Sequence, residues 1–457
     1  MTLDDNVLLE IFNFYIGQSR RLRREEDRWH TLVHVCRQWR QIIFASPHRL
    51  NLRLLCTRKR LGTLDVWSAL PALPIVVDIE HGSLRAREEK KIVAKLNQRD
   101  RVCKIRFWCI PDSPLRKIIE VMKEPFPALT DLKLSVSHGT TPVPLPDSFL
   151  GGSSPRLHSL ELSHILFPEL PKLLSSATDL VTLCLTDIPR SESGYISPEA
   201  MVTALSALKR LKTLHLQFQF PQFRESQSPP PRTRVTLPAL TLFRFKGNSD
   251  YLEDTVSRID TPLLDIFSVK LFNQLVFDIP LVREFIDRTE TFKASHRADV
   301  IFHEDRVNLT IFSRGAQVEK KSLELGISCK PFDWQLSSLA EVCGSCLPPL
   351  PTLESLEVRR DRKYLDDIET VQWVDLLRPF ASVKSLILDD QVARLVAPAL
   401  QELTGESVTE VLPALQNLFL RPSARSRPIQ EAVAQFVTAR QLSEHPVVVH
   451  YQDQRIW

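Results

Sequence analysis

Residues 157–162 read Leu-His-Ser-Leu-Glu-Leu, and residues 180–185 read Leu-Val-Thr-Leu-Cys-Leu. Both hexapeptides place apolar residues at the first, fourth and sixth positions. The last two of these alternate across a polar residue, as they do in a short strand with one buried face. One such strand cannot bury its apolar face alone, so the pattern predicts a sheet that is built from stacked repeats.

The same spacing recurs along most of the chain at a loose period of about 28 residues. The other clear matches are Val102/Ile105/Phe107, Leu129/Leu132/Leu134, Leu211/Leu214/Leu216, Leu240/Phe243/Phe245, Leu264/Phe267/Val269, Leu353/Leu356/Val358, Val383/Leu386/Leu388 and Leu415/Leu418/Leu420. Two weaker matches, Phe292/Ala294 and Leu323/Leu325, lack the first apolar residue. We therefore expect these residues to form one continuous parallel sheet.

The segments between these strands favour helices, which gives an α/β fold class. The predicted helices are Pro114–Lys123, Phe167–Ala177, Pro198–Arg210, Thr370–Pro379 and Asp390–Leu403. Residues 100–420 resemble an irregular leucine-rich-repeat array, with parallel strands on one face and helices on the other. The Asn or Cys that usually follows the LxxLxL stretch is mostly absent. An ordinary α/β sheet protein with Leu-rich strands remains the alternative interpretation.

The first sixty residues change to helical spacing. Apolar or aromatic residues stand one helical turn apart in two segments, first at Leu3, Val7, Leu8, Ile11, Phe12 and Tyr15, and then from Trp29 through Trp39 to Phe44. A helical unit of about 50 residues cannot bury all of this surface unaided, so the surface suits a helical partner. A subdomain that caps the repeats is the alternative interpretation.

Residues 3–12 (LDDNVLLEIF) and 32–40 (LVHVCRQWR) resemble the F-box motif, and the residues around 29–32 and 46–54 are similar to the fungal F-box proteins with degenerate leucine-rich repeats. The resemblance implies docking to a Skp-type adaptor and through it to the cullin scaffold of an SCF-type ubiquitin ligase. The implied adaptor contacts are Leu3, Val7, Leu8, Ile11, Phe12 and Trp39. Asp4 stands where the family usually has Pro. The implied domains are an F-box at 1–60, a linker or cap at 61–100 and repeats at 101–457.

The outward positions between the paired leucines are candidates for substrate contact. They include Lys133, Glu161, His215, Arg244 and Glu357. Their mixed charge, on a chain of net charge +4, suits a protein partner better than nucleic acid, whose phosphates would select Lys and Arg. A merely solvated strand face remains the alternative.

Enzymatic motifs are lacking, so we expect an interaction protein without a cofactor or metal. With 12 glycines in 457 residues, the chain has no phosphate-binding loop, dinucleotide fingerprint or nucleophile elbow. Cys343-Gly344-Ser345-Cys346 has redox spacing, but the prolines that follow oppose a helix there. An enzyme with a site at Cys343 and Cys346 is the weaker alternative. The chain also lacks an apolar run of about 18 residues and a basic leader, so we expect no membrane span and a cytoplasmic or nuclear location.

Overall fold

The computed structural model describes residues 4–17, 29–46, 49–50, 52–58, 73–80, 82, 84–137, 139, 141–189, 196–221, 233–274, 277, 279–314, 320–348, 350–361, 370–403, 407–420 and 427–451. Two compact units divide the chain. The first comprises residues 1–196 and 207–211, and the second comprises residues 197–206 and 212–457.

The first unit contains six α-helices and eight strands among its described residues. The helices are α1 (Asp5–Gly17), α2 (Trp29–Val33), α3 (Arg37–Ala45), α4 (Ala86–Leu96), α5 (Asp112–Val121) and α6 (Leu170–Ser176). The strands are β1 (Leu54–Thr57), β2 (Ile75–Glu80), β3 (Val102–Ile110), β4 (Asp131–Val136), β5 (Val143–Pro144), β6 (Ser159–Ser163), β7 (Ile165–Leu166) and β8 (Thr182–Ile188).

The main sheet of the first unit is parallel throughout, in the order β1-β2-β3-β4-β6-β8. Ile105, Leu132, Leu160 and Leu183 are register partners on adjacent strands, and all four are buried. The predicted repeats are therefore confirmed for β3 to β8. The sheet also extends into β1 and β2, which lie within residues 1–100, the range predicted to hold the N-terminal helices and a linker or cap.

The N-terminal helices form a small cluster around aromatic side chains. The rings of Phe12 on α1 and Trp39 on α3 meet edge to face, with centroids 4.7 Å apart. Cys36 caps α3, because its sulfur accepts a hydrogen bond from the Trp39 backbone N–H at 3.4 Å. The Trp29 indole donates to the carbonyl of Arg53 at 3.1 Å, which joins the cluster to the residues that lead into β1.

The second unit contains nine helices and twelve strands among its described residues. The helices are α7 (Pro198–Leu205), α8 (Ser249–Arg258), α9 (Pro280–Asp287), α10 (Glu290–Lys293), α11 (Phe332–Cys346), α12 (Thr370–Leu377), α13 (Asp390–Gln401), α14 (Ser407–Glu410) and α15 (Arg427–Leu442). The strands are β9 (Thr213–Phe218), β10 (Val235–Thr236), β11 (Leu242–Gly247), β12 (Ile259–Asp260), β13 (Ile266–Phe272), β14 (Ser295–Phe302), β15 (Val307–Ser313), β16 (Lys320–Ser328), β17 (Ser355–Arg360), β18 (Ser385–Leu388), β19 (Asn417–Leu420) and β20 (Val448–Tyr451).

The main sheet of the second unit has the order β9-β11-β13-β16-β15-β14-β17-β18-β19-β20. Its strands are parallel except β15, which is antiparallel to both β14 and β16. The prediction of a wholly parallel sheet is therefore wrong at this place. A tight turn after β14, where the His303 N–H donates to the carbonyl of Arg306 at 2.8 Å, sends the chain straight back beside itself.

One of the two weak repeats was assigned to the wrong residues. Phe292 lies in α10 rather than in a strand, and the strand begins three residues later. Ala298 and Val300 of β14 are the buried residues that pair with Leu356 and Val358 of β17. The other weak repeat is confirmed, because Leu323 and Leu325 of β16 pair with Phe267 and Val269.

The five predicted helices are confirmed as α5, α6, α7, α12 and α13, although α7 ends at Leu205 rather than at residue 210. Buried carboxylates accept hydrogen bonds from the first backbone N–H groups of two helices, α13 and α9. Asp389 accepts hydrogen bonds from the backbone N–H groups of Gln391 and Val392, at 3.0 and 2.8 Å, and caps α13. The Glu253 carboxylate accepts from the N–H groups of Leu281 and Val282 and so satisfies the first turn of α9.

The buried leucines should dominate the stability of the sheet. Leu160→Ala removes a fully buried side chain that lies between Leu132 and Leu183 on the adjacent strands, and it should lower the free energy of unfolding by about 2–5 kcal/mol. Leu442→Ala is the matched control, because Leu442 is 82% exposed and its truncation should change stability by less than about 0.5 kcal/mol. Urea unfolding followed by circular dichroism measures both values. Equal effects of the two substitutions would contradict the repeat interpretation.

Candidate partner-binding surfaces

Helix α1 carries two adjacent apolar stripes. Leu8 and Phe12 form one stripe, are buried, and pack within the cluster of α1 to α3. Val7, Ile11 and Phe14 form the other at i, i+4 and i+7, and they are 47%, 45% and 66% exposed. The second stripe faces solvent, so it is the part of α1 that is open to a partner.

The predicted adaptor contacts therefore divide into two groups. Val7 and Ile11 are exposed, Leu8 and Phe12 are buried, Trp39 is half-buried against Phe12, and Leu3 lies outside the described residues. Two exposed apolar residues, Phe14 on α1 and Val35 between α2 and α3, were not among the predicted contacts. The i, i+4, i+7 spacing from Val7 was the signal in the sequence that could have identified Phe14.

The outward face of each sheet is the face opposite the buried leucine ladder. In the first unit, cations on this face form ion pairs with carboxylates of the adjacent strands. Lys133 forms a salt bridge with Glu161 on the next strand, and its ammonium group also lies 4.3 Å from the centre of the Trp108 ring. On neighbouring positions, Lys104 pairs with Asp131 at 3.4 Å and Arg106 pairs with Asp78 at 3.7 Å. Two predicted substrate contacts, Lys133 and Glu161, are thus partners of each other.

Glu357 belongs to a network of four charges in the second unit. The guanidinium of Arg297 donates to Glu357 at 2.7 Å and to Asp299 at 2.9 Å, and Arg359 pairs with the same two carboxylates at 3.2 and 3.3 Å. Asp299 is buried, and its burial raises its pKa although Arg297 and Arg359 oppose this effect. The network adds side-chain ion pairs between β14 and β17, which are already paired through their backbones.

The last two predicted substrate contacts, His215 and Arg244, are register partners on β9 and β11. Arg244 is exposed and His215 is half-buried. The five predicted residues consequently lie at three separate places, namely the Lys133–Glu161 pair, the Glu357 network and the His215–Arg244 pair. The sequence identified the outward face correctly, but it did not show which side chains neutralise one another across strands.

Cys343 lies in the last turn of α11, so the expectation that the following prolines oppose a helix at these residues is wrong. The prolines come after the helix has ended. Burial strongly raises the pKa of the Cys343 thiol, and the C-terminal end of a helix disfavours a thiolate further. Both effects make Cys343 a poor nucleophile.

Metal-binding clusters and membrane-spanning helices are absent from the described part of the chain. No group of three or more His, Cys, Asp or Glu residues there is arranged to hold a metal ion. No helix in the same residues is long and apolar enough to span a bilayer.

Comparison with protein-family models finds no matching family, and comparison with curated proteins finds no matching relative. Among solved structures, the chain is similar to one from the yeast Rad7 and Elc1 complex, with 14% identity, a TM-score of 0.30, and coverage of 82% of this chain and 72% of that chain. It is also similar to the leucine-rich repeat-containing protein LegL7 from Legionella pneumophila, with 14% identity, a TM-score of 0.26, and coverage of 72% and 95%. Likenesses of this size do not identify a shared function.

The raised pKa of Asp299 predicts a pH dependence of stability. Because the native state holds the Asp299 proton more tightly than the unfolded state, it binds more protons just above the ordinary Asp pKa of 3.8. The contribution of Asp299 to the free energy of unfolding should therefore fall as the pH rises through that range. Asp299→Asn should remove this contribution, so the stability of the variant relative to the native chain should increase from acid to neutral pH. Urea unfolding of both proteins at several pH values measures the difference, and a difference that decreases with pH would contradict the assignment.

Proposed function

We propose that this chain is a non-catalytic, substrate-recruiting F-box subunit of an SCF-type ubiquitin ligase. The N-terminal helices bind a Skp-type adaptor, which is held in turn by a cullin scaffold, and the outward face of the repeat sheet binds a substrate protein. The exposed stripe of Val7, Ile11 and Phe14 on α1 is the observation that carries this proposal.

The stripe has the character of an interface rather than of an ordinary surface. Three large apolar side chains on one helix face are exposed, while the parallel stripe of Leu8 and Phe12 already supplies what the cluster needs for its own packing. Contiguous exposed apolar patches commonly mark protein interaction sites. A helix that presents residues at i, i+4 and i+7 suits a groove between helices of the partner.

Asp4 is the main departure from the F-box pattern, and its geometry gives it a structural role. Its carboxylate accepts a hydrogen bond from the Asn6 N–H at 2.8 Å, and its carbonyl accepts from the Leu8 N–H at 3.0 Å. Asp4 therefore starts α1 as a capping residue, a position at which Asp is favoured. The substitution keeps the helix start in place, so the exposed stripe keeps its position on the cluster.

The proposed mechanism is proximity rather than chemistry on this chain. Holding a substrate and a ubiquitin-charged enzyme on one scaffold raises the local concentration of substrate lysines near the reactive thioester. No catalytic group of the chain is required for this. The buried thiol of Cys343, with its raised pKa, gives no support to the enzyme alternative.

A repeat scaffold without ligase function is the second candidate. Asp4 favours this second candidate, because it places a carboxylate beside the exposed stripe where F-box proteins usually have an apolar proline. This carboxylate adds charge to the edge of the proposed adaptor interface. Binding of a Skp-type adaptor separates the two functions directly.

Adaptor binding should depend on the exposed stripe. Val7→Glu combined with Ile11→Glu should weaken binding to a purified Skp-type adaptor by at least about 2 kcal/mol, because two charges would be buried without partners in an apolar interface. Val448→Glu is the control, because Val448 is 55% exposed in the second unit. Co-purification and calorimetric titration measure the effect.

Circular dichroism of the same variants tests whether they remain folded. Equal adaptor affinity of the double variant and the native chain would contradict the proposal. Substitutions of Leu8 or Phe12 are less informative, since both side chains are buried and their truncation would disturb the cluster itself.

A further inference from the structure

The cations of the outward faces differ in whether the chain neutralises them. In the first unit, Lys104, Arg106 and Lys133 each pair with a carboxylate of a neighbouring strand. In the second unit, Arg297 and Arg359 share two carboxylates. Charge pairing across strands is thus the common arrangement on these faces.

Three cations of the second unit depart from this arrangement. Arg244 and Lys246 on β11 and Lys270 on β13 have no carboxylate oxygen within 4.0 Å among the described residues. We name these three residues the basic surface. Lys246 and Lys270 are register partners, so their backbones lie about 4.8 Å apart, and Arg244 lies two residues before Lys246 at about 7 Å.

The acidic residue nearest to the basic surface in the strand register, Glu324, forms no ion pair with it within 4.0 Å. Glu324 lies two strands from Arg244 and on the strand next to Lys270, and its carboxylate accepts a hydrogen bond from the Ser268 hydroxyl at 2.8 Å. Gly326 is the register partner of Lys270, and a Cβ atom at Gly326 would meet the Asn308 Oδ1 atom at 2.7 Å and the Cγ atom of Lys270 at 3.4 Å. The Lys270 stem therefore lies against the backbone of the neighbouring strand at Gly326.

We propose that the basic surface binds an extended acidic segment of a partner protein, in which Asp or Glu residues alternate with other residues. Side chains at alternate positions of an extended peptide repeat every 6.6–7 Å, about the distance between the Arg244 and Lys246 levels. Spread carboxylates fit this arrangement better than one compact dianion, because the three cations lie on two levels and two strands. The inference rests on the proposed function, since it names the class of substrate segment that the sheet recruits.

The test uses the full chain and a fluorescein-labelled peptide in which Glu alternates with Ser over eight residues, with the matching Gln–Ser peptide as a control ligand. Fluorescence anisotropy should show salt-sensitive binding of the Glu peptide only. The triple substitution Arg244→Gln, Lys246→Gln and Lys270→Gln should weaken this binding by about tenfold or more, because it removes every cation of the surface.

A second triple variant serves as the matched control. Arg116→Gln, Lys117→Gln and Lys123→Gln makes the same change in net charge on and directly after helix α5 rather than on the outward face of the sheet, and it should change peptide affinity by less than about twofold. Thermal unfolding verifies that both variants are folded. Equal weakening in the two variants, equal binding of the Glu and Gln peptides, or tighter binding of single-stranded oligouridylate than of the Glu peptide would each overturn the inference.

Adaptor binding by the same proteins separates this inference from the proposed function. Loss of peptide binding in the first triple variant with unchanged adaptor binding supports the basic surface as an independent element. If the native chain binds the Glu peptide but not the adaptor, the result supports the basic surface. It then contradicts only the proposed role in a ubiquitin ligase.

Discussion

The in-register contact between inward-facing leucines is the constraint on which both sheets depend. A strand of four to nine residues in this chain has too few apolar side chains to be stable alone, and it gains its burial only from the strands on either side. Ile105, Leu132, Leu160 and Leu183 show the result, since each meets its equivalent on the next strand. A shift by one residue would turn every one of these side chains to the solvent, so the alternation fixes the register as well as the face.

The same alternation leaves the outward positions free of the demand for burial, and the chain uses them in two ways. Around Lys133 and around Glu357, opposite charges on adjacent strands pair with one another and add to the cohesion of the sheet. On β11 and β13 the cations lack such partners among the described residues. A charged side chain that is paired within the sheet attracts a charged ligand only weakly, whereas an unpaired charged side chain attracts a ligand of opposite charge.

The sequence predicted the fold wherever a strand followed the LxxLxL spacing, which includes β3 to β8 along the first main sheet and most of the second. It did not reveal β1 and β2, because Ile75-Val76-Val77 is a continuous apolar run and lacks the alternation that identifies a half-buried strand. It also missed the antiparallel β15, since the order of strands at this place follows from the turn between His303 and Arg306. The candidate sites were predicted less well, because spacing shows which face a side chain occupies but not which neighbour it contacts.

In the proposed function, helix α1 serves both folding and binding, and the two roles use different side chains. An apolar face that spans two stripes is wider than the cluster of α1 to α3 can cover, so one stripe stays exposed after the other has been buried against Trp39. The buried stripe fixes the orientation of the helix before a partner arrives, and the Asp4 cap fixes where the helix starts. A partner that binds the exposed stripe therefore meets a surface that is already in place, and it loses little of its binding energy to the ordering of that surface.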